Sequence, residues 1–359
     1  MERLGLINSR ICAMLCKRSS KPLGQVCQGE FFGSADFFAK RQKSLWKFVG
    51  LCVILILRCV GHFCIGECER LQRIVFCYGG ENSEDAHMRY IIGSLNCCRL
   101  GTAREHDYGV LADIILSEQF DIIALQEVFK PEAIEPLQRR LPSWEACHER
   151  PAQGRFGDYG FSFLWNTKRV SECSRDGKPS IITVRGPDMT RRPLLGRFSP
   201  SELPGGLFFE IRLINVHLCW DSETVKNDIV KRKEEFKLVT GEIYEYLSNR
   251  RYGDPKSAFM PAYTIVLGDY NLSAVICQAF ENDSIAHYVQ TKQEEKTTMS
   301  AKGYANDYDH FSFDVKRFAG IDVQIQRIDS VGKFMGGDFE QHMQKISDHV
   351  PIKFEFSLK

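Results

Sequence analysis

The stretch Tyr263-Thr-Ile-Val-Leu-Gly-Asp-Tyr-Asn271 joins a run of apolar residues to two polar ones at its end. A short apolar run that ends in a charged residue is typical of a buried strand whose C-terminal end is exposed. Such a strand holds its last side chains rigidly at the edge of a sheet, where a substrate can reach them. We therefore predict that Asp269 and Asn271 belong to a functional site.

Four further segments follow the same pattern, in which an apolar run ends in a side chain that can bind metal or transfer a proton. They are Leu95-Asn96, Leu125-Gln126-Glu127, Asn215-Val216-His217 and Ser347-Asp348-His349. Hydrolysis of a phosphodiester needs such a set, because carboxylate and amide oxygens hold a hard cation that polarises the phosphoryl group. A histidine then moves protons or stabilises charge on the phosphoryl group. The five segments together indicate a metal-dependent phosphodiesterase.

The remaining pattern of apolar residues predicts strands with helices between them. We predict strands over Arg89–Asn96, Asp121–Glu127, Phe161–Trp165, Leu207–Leu218, Tyr263–Leu267 and Ile352–Phe356. Helices are predicted over Asp107–Glu118, from Pro131 onward, and over Ser222–Arg251, because apolar residues recur there at helical spacing or proline occupies the first position. Strands and helices without strict βαβ regularity predict an α/β (α+β) fold with mixed sheets.

The helix predicted over Ser222–Arg251 combines a buried apolar stripe with many charges. Acidic residues alternate with basic ones, among them Arg232, Lys233, Glu234 and Glu235. Such alternation favours a solvated face over a stripe that binds nucleic acid.

The motifs occur in the order seen in a known superfamily. From about Tyr90 to Phe356, the chain resembles the deoxyribonuclease I, exonuclease III and neutral sphingomyelinase superfamily, also called the endonuclease/exonuclease/phosphatase superfamily. The resemblance implies a four-layer sandwich, in which two packed mixed β-sheets are flanked by helices. It also implies a catalytic domain over 71–359.

The resemblance implies roles for the acidic and amide side chains. Asn96, Glu127 and Asp348 are similar to the ligands of the family's metal ion, which would be Mg²⁺, with Mn²⁺ or Ca²⁺ as alternatives. Asp269 and Asn271 resemble the pair that orients or deprotonates the attacking water and binds the phosphate.

The resemblance also implies which residues transfer protons and contact phosphate. His349 looks like the histidine next to the scissile phosphate, and Asp309, in Tyr308-Asp309-His310-Phe311, looks like its carboxylate partner. His217 resembles the second family histidine. Arg191 resembles a phosphate-contacting arginine, since a guanidinium grips phosphate in two places; from sequence alone, Arg192 could take its place.

One position departs from deoxyribonuclease I, which carries a glutamate paired with the second histidine. The matching position here is Tyr159, with Asp158 as the counterpart under a one-residue slip. A tyrosine can donate a hydrogen bond to phosphate but is not a carboxylate near neutral pH. The departure shifts weight from a two-histidine mechanism to the Asp309–His349 pair and the metal.

Charge and cysteine are distributed unevenly along the chain. Residues 1–80 carry a net charge of +7 and the remainder −6, so the bulk of the protein is not a basic nucleic-acid-binding surface. Eight of the 14 cysteines lie in residues 1–80. They lack the spacing of a zinc site, which favours small buried thiols with at most one disulfide.

The N-terminal 70 residues are predicted to be an appendage. Basic residues up to Lys47 precede the apolar run Phe48–Leu57, a pattern closer to a signal-peptide core than to a membrane span of about 20 residues. A signal peptide, a membrane anchor through residues 48–66 and a buried helix are the alternatives. The first two predict a secreted or membrane-anchored protein, and a start-site artefact would make it cytoplasmic.

Three functions compete for this site. The first is an endonuclease acting on DNA, which the Arg-x-Pro segment at 191–193 and the compact length after residue 90 favour. The second is a sphingomyelinase-like or other phospholipid or inositol phosphoesterase, which the apolar segment 48–57 and the Gln126-Glu127-Val128-Phe129 motif favour. The third is a scaffold without activity, which the intact motif positions disfavour. No protein partner is inferred.

Overall fold

The computed structural model describes residues 88–150, 159–174, 177–183, 189–201, 209–220, 225–252, 261–281 and 288–358. The predicted appendage of residues 1–70, its apolar segment 48–57 and the membrane contact of 48–66 lie outside these ranges. So do the start of the predicted catalytic domain at residue 71, Asp158 and most of the cysteines.

The strands of the described residues include every predicted one. Their bounds are β1 Met88–Leu100, β2 Ile122–Val128, β3 Trp144–Glu149, β4 Gly160–Asn166, β5 Val170–Glu172, β6 Ser180–Ile181, β7 Leu194–Pro200, β8 Glu210–His217, β9 Ala262–Asp269, β10 Val289–Lys292, β11 Met299–Ser300, β12 Gly303–Tyr304, β13 Asp309–Asp314, β14 Asp322–Arg327 and β15 Ile352–Leu358.

The helices lie between the strands along the chain. They are α1 Tyr108–Ser117, α2 Glu135–Arg140, α3 Val225–Lys237, α4 Tyr244–Asn249, α5 Ala274–Glu281, α6 Ser330–Met335 and α7 Phe339–Lys345. The predicted helix over Asp107–Glu118 is confirmed as α1. The Asp107 side chain caps it by accepting from the backbone N–H groups of Gly109 and Val110, which satisfies donors that a helix leaves unpaired.

Two predicted helices differ from the structure. From Pro131 the chain forms only the 3₁₀ turn Pro131–Ala133, and α2 begins at Glu135. The helix predicted over Ser222–Arg251 is divided, because the π-helical segment Leu238–Ile243 separates α3 from α4. The extra residue per turn of a π segment shifts the helical register, so one continuous apolar stripe at 3.6-residue spacing does not describe the whole segment.

The described strands form two mixed sheets. One has the order β14-β15-β1-β2-β4-β3, and the other has the order β10-β13-β9-β8-β7-β5, with β6 on β7. Parallel pairing of β1 with β2, and of β8 with β9, brings the C-terminal ends of neighbouring strands together. Gly268, at φ +140°, lies where a Cβ would be 2.0 Å from the Val216 carbonyl oxygen, so only glycine fits between β9 and β8.

Three large apolar clusters of the described residues lie in layers, and a small fourth one contains Met299, Val331 and Val350. One packs the facing sides of the two sheets together, with Ile92, Phe163, Leu213, Leu267 and Phe354 among its members. A second covers the outer side of the first sheet with α1 and α2, and a third covers the second sheet with α3, α4 and α5. The order is helix, sheet, sheet, helix, which confirms the predicted four-layer sandwich.

A buried polar contact also joins the two sheets. Gln126 on β2 donates to Asn215 on β8 at 2.8 Å, and Asn215 donates to the Leu125 carbonyl at 3.1 Å. Both side chains are fully buried, so the alternative to this contact is an unpaired polar group in the core. The contact fixes how the ends of β2 and β8 face each other.

Within the described ranges, the six cysteines Cys97, Cys98, Cys147, Cys173, Cys219 and Cys277 are free thiols. Cys97, Cys219 and Cys277 are buried, as expected of small apolar side chains, and the other three are half-buried. Among the helices that the structure describes, none is both long and apolar enough to cross a bilayer.

Candidate active site

The predicted site residues meet at one edge of the sandwich. Asn96 lies in β1 and Glu127 in β2 of the first sheet, whereas His217 ends β8 and Asp269 ends β9 of the second. Asp309, the first residue of β13, pairs directly with Asp269. The edge exists because the two parallel strand pairs end on the same side, and β13 starts there because it runs antiparallel to β9.

Asp269 is the centre of this cluster. Its carboxylate Oδ2 lies 2.9 Å from Asn96 Nδ2, 3.6 Å from His217 Nε2 and 3.8 Å from His349 Nε2. The contact with Asn96 crosses from one sheet to the other. Burial raises the pKa of Asp269, and the nearby Asp309 carboxylate adds to the rise while His349 opposes it. A carboxylate whose pKa is raised is a better proton acceptor near neutral pH.

His349 and Asp309 form a close pair. His349 Nδ1 lies 2.7 Å from Asp309 Oδ2, and both residues are buried. Burial alone would lower the pKa of His349, but the charge and hydrogen bond of Asp309, together with Asp269 and Asp348, raise it to about 10. The ring is therefore protonated at neutral pH, with Nδ1–H donating to Asp309 and Nε2–H facing Asp269.

The backbone around His349 is held by the serine of its motif. Ser347 Oγ donates to the Asn96 carbonyl at 2.6 Å, and it accepts from the His349 backbone N–H at 3.1 Å. One hydroxyl therefore ties the loop that carries His349 to the strand that carries Asn96.

His217 differs from His349 although both lie beside Asp269. Its Nε2 faces Asp269 and lies 3.9 Å from Glu127 Oε1, whereas its buried Nδ1 has no hydrogen-bond partner among the described residues. Burial lowers the pKa of His217 well below its ordinary value, and the positive charges of Arg191 and His349 lower it further. The ring is therefore neutral.

Tyr159 and Arg191 lie against the His217 side of the site. The Arg191 guanidinium is 4.6 Å from the Tyr159 ring centroid, and the Tyr159 ring is 6.1 Å from that of His217. Arg191 is 3% exposed, and its Nη1 donates to the carbonyls of His217 and Leu218. The structure thus brings Arg191 to the site, while its neighbour Arg192 is exposed.

The residues expected to hold metal are Glu127, Asn96 and Asp348. Asn96 Nδ2 lies 3.3 Å from Glu127 Oε1. Burial raises the pKa of Glu127, and the negative charge of Asp348 raises it further. The charge of His349 and the hydrogen bond from Asn96 oppose this rise. Burial also opposes ionisation of Asp348, but His349, a hydrogen bond with Cys98 and the charge of Arg104 together lower the pKa of that carboxyl. Glu127 is thus a half-buried carboxylate whose charge a bound cation would neutralise.

Across the residues that the structure describes, no three His, Cys, Asp or Glu side chains form a group that could hold a metal ion by themselves. The predicted set contains only two carboxylates and an amide. Such a set fits Mg²⁺, which binds through one or two carboxylates and keeps several waters or substrate phosphates as its other ligands. Mn²⁺ accepts similar oxygen donors.

Backbone strain is concentrated at this edge. Glu127 has φ +56°, Asn271 has φ +51° and Cys98 has φ +47°, all in the left-handed region that residues with a Cβ rarely adopt. Asn271 is held there because its backbone N–H donates to Asp269 Oδ1 at 2.9 Å and its Nδ2 donates to the Leu218 carbonyl at 3.0 Å. Strain of this kind is retained where the surrounding contacts fix a functional geometry.

The prediction of a solvated face on the long charged helix is wrong for two residues of α3. Arg232 is 8% exposed and Glu235 is 3% exposed. Arg232 donates to the Asn271 carbonyl, and Glu235 accepts from the backbone N–H groups of Thr190 and Cys219. Both support the loops that follow β8 and β9. Their three-residue spacing on one helical face, next to buried Phe236, is the sequence signal that could have identified them.

The histidines outside the site motifs make structural contacts where the structure describes them. His310 is fully buried, with its two ring nitrogens on the carbonyls of Gln293 and Leu272. His342 is also fully buried, between Ser330 and the Ser347 carbonyl. His106 contacts the Cys97 carbonyl, and His287 lies outside the described residues.

Solved structures share this architecture. A D. rerio TDP2 humanized by 14 mutations superimposes with a TM-score of 0.50 and 17% identity over 76% of this chain and 100% of that one. D. rerio TDP2 complexed with a single-strand DNA product gives 0.50 and 16%, over 75% of this chain and 99% of the other. The chain has the deoxyribonuclease I-like fold.

A third structure gives a similar alignment. An endonuclease/exonuclease/phosphatase family protein from Bacteroides thetaiotaomicron aligns with a TM-score of 0.49 and 14% identity, over 76% of this chain and 99% of that one. In sequence, the chain matches no protein-family model and no curated protein. A shared fold does not by itself name a substrate.

Proposed function

We propose that the protein is a metal-dependent phosphodiesterase, a hydrolase that cleaves phosphodiester bonds of DNA with an activated water. The observation that carries the proposal is the geometry of His349, whose Nδ1 lies 2.7 Å from Asp309 and whose Nε2 lies 3.8 Å from the buried carboxylate of Asp269. A proton donor and a proton acceptor then face the same space, which is what in-line displacement at phosphorus requires.

The two sides of the space have different tasks in this proposal. Asp269, fixed by Asn271 and Asn96, orients the attacking water and accepts its proton. His349 keeps its Nε2–H toward the site, stabilises charge on the phosphoryl oxygens and delivers a proton to the leaving oxygen. Neutral His217 is suited to hydrogen bonding to phosphate and not to charge stabilisation.

Glu127, Asn96 and Asp348 are the residues that would hold the cation in the proposed mechanism. Mg²⁺ bound there would polarise a phosphoryl oxygen and neutralise its charge. Glu127 is suited to this role because its half-buried carboxylate lies beside Asn96.

DNA is the substrate that we propose. Arg191 brings a buried positive charge beside Tyr159 and His217. Arg191 offers phosphate a charged hydrogen-bond donor, and Tyr159 offers a neutral one. TDP2 of D. rerio, which has the same fold, is solved with a single-strand DNA product. Both facts support a nucleic acid over a lipid headgroup as the substrate.

The test compares two substrates with the full chain. Plasmid DNA and sphingomyelin are each incubated with the protein in magnesium and in chelator, and His349→Ala is the matched control for contaminating activity. We expect DNA nicking that needs magnesium and that the variant lacks. Lipid turnover without nicking would replace the nuclease proposal with the sphingomyelinase-like one, and no turnover of either substrate would refute the phosphodiesterase.

We also propose that the protein is secreted or membrane-anchored. The basic residues that precede Phe48–Leu57 support this, since the order is that of a signal peptide. N-terminal sequencing of the natural protein tests it: a start downstream of residue 57 shows cleavage, and a start at Met1 in a soluble fraction refutes it.

A further inference from the structure

An exposed aromatic pair lies at the rim of the candidate site and has no part in the chemistry described above. Trp220 is 48% exposed, whereas Trp144 and Trp165 are 8% and 3% exposed. The Trp220 ring lies 6.3 Å from the ring of half-buried Tyr308, with the two planes tilted by 48°. A large indole left in water beside a catalytic edge is a candidate for substrate contact.

Backbone contacts place the pair on both sides of the end of β9. Trp220 follows His217 by three residues, and the Leu218 N–H between them donates to the Asp269 carbonyl at 2.9 Å. Tyr308 directly precedes Asp309, and its carbonyl accepts from the Tyr270 N–H at 2.8 Å. The rings are therefore tethered next to the residue that we assign to the attacking water.

The backbone before Trp220 is also fixed from outside the sheet. The Cys219 N–H donates to the buried Glu235 carboxylate at 2.8 Å. An aromatic ring on a fixed backbone loses little conformational freedom when a flat group binds against it. This favours Trp220 as a preformed contact surface.

A fixed positive charge indicates which flat group would bind. The Arg232 guanidinium lies 5.0 Å from the Trp220 ring centroid and is anchored on the Asn271 carbonyl. A cation already at the ring disfavours a second one, such as the quaternary ammonium of a phosphocholine headgroup. It favours a neutral aromatic group attached to a phosphate.

We propose that Trp220 and Tyr308 stack on an unpaired nucleobase next to the scissile phosphate, so that the protein prefers single-stranded or frayed nucleic acid. The inference rests on the proposed phosphodiesterase function and assigns its substrate specificity. Stacking is independent of base identity because every base has a π face. The proposal therefore predicts strand preference without strict sequence preference.

The test measures binding by the full chain in chelator, where the proposed hydrolysis does not occur. Two fluorescent single strands are compared, one with bases and one in which abasic sugars replace them. We expect Trp220→Ala to weaken binding of the base-containing strand by about 5- to 150-fold, which corresponds to about 1–3 kcal/mol for a stacked base. Trp220→Phe should keep most of the affinity, and the abasic strand should bind wild type and Trp220→Ala alike.

Tyr246→Ala is the matched control. Tyr246 is another exposed aromatic residue with an arginine, Arg250, at 5.3 Å from its ring. It precedes Leu247, whose carbonyl binds Arg212 in the first half of β8, away from the end that carries His217. This variant should bind both strands as wild type does.

The outcomes separate stacking from the function on which it rests. Equal loss for both strands, no loss in Trp220→Ala, or no binding of single strands by wild type would each overturn the stacking proposal. Binding of sphingomyelin vesicles that depends on Trp220 would also overturn it. Trp220-dependent binding without magnesium-dependent cleavage would refute only the phosphodiesterase, and cleavage without that dependence would refute only the stacking.

Discussion

The two sides of the candidate site differ in the partner of the histidine Nδ1 atom. On the Asp309 side, His349 has a carboxylate at Nδ1 and its pKa is raised to about 10. On the Tyr159 side, His217 has no partner at Nδ1 among the described residues, and its pKa is lowered. Both rings nonetheless turn Nε2 toward the same carboxylate, that of Asp269.

The difference shows that neighbouring residues, more than position at the site, set the charge of a buried histidine. Burial lowers the pKa of either imidazole, because it disfavours the charged form. A carboxylate in contact with Nδ1 reverses this effect for His349, while Arg191 reinforces it for His217. The two rings can therefore not exchange roles as proton donor.

The largest effect should come from removing the charged ring. We expect His349→Ala, like Asp269→Ala, to reduce kcat by at least about 10²-fold, the usual scale for a positioned proton-transfer group. His217→Ala should cost about 10-fold, since a neutral ring contributes hydrogen bonding only. Single-turnover rates on the cleaved substrate measure both, with circular dichroism to show that each variant is folded. Equal losses at the two positions would abolish the distinction.

The next largest effect should come from changing Asp309, the partner of His349, while the His349 ring stays in place. Asp309→Asn keeps the shape of the side chain but removes the charge that raises the pKa of His349. A required acid is active below its pKa and inactive above it, so the alkaline limb of the pH–rate profile should move to lower pH. The rate at neutral pH should fall about 10- to 100-fold. An alkaline limb at the wild-type position would show that Asp309 does not control His349.

The smallest effect concerns His342, a buried histidine without a carboxylate partner. Its Nδ1–H donates to the Ser347 carbonyl at 2.8 Å and its Nε2 accepts from the Ser330 hydroxyl at 2.8 Å. Burial lowers its pKa to about 4, against the opposing effect of the Ser347 hydrogen bond. An unfolded histidine titrates near pH 6.5. The contribution of His342 to native-state stability is therefore fully present above pH about 6.5 and is lost progressively as pH falls toward 4.

His342→Gln isolates that contribution. Urea unfolding of wild type at about pH 7.5 and about pH 5 should show a loss of about 2 kcal/mol that the variant lacks. Carboxylates that titrate in the same range affect both proteins and cancel in the comparison. The same pH dependence in wild type and variant would contradict the lowered pKa.

The fold could be predicted where strands are continuously apolar. β2 and β9 are buried on both faces, and their continuous apolar runs predict this burial. β14, in contrast, is the edge strand Asp322–Arg327, and its exposed and half-buried residues alternate. Only Val323 and Ile325 of this strand are apolar, so its alternation is too short to identify a strand, and pairing with β15 on one side supplies what the sequence does not specify. The π segment of the long helix could likewise not be predicted, since it changes the helical register without changing the composition of the segment.

The site could be predicted at the level of residues but not of contacts. The ends of the apolar strands identified Asn96, Glu127, His217 and Asp269, and the resemblance paired Asp309 with His349. Whether His217 Nδ1 finds a partner among the described residues depends on how the two sheets pack, which no single segment encodes. Arg232 and Glu235 were missed because charge on a helix usually indicates solvent, whereas here both are buried under loops of the site.

The left-handed backbone at Glu127 and Asn271 has a consequence for the evolution and engineering of this protein. Glycine at Glu127 would relieve the conformational penalty and remove a half-buried charge, whereas glycine at Asn271 would also remove the hydrogen bond to the Leu218 carbonyl. Selection for thermal tolerance alone would therefore favour losing the Glu127 side chain, by on the order of 1 kcal/mol. A thermostabilised lineage that keeps Glu127 would record continued selection for turnover.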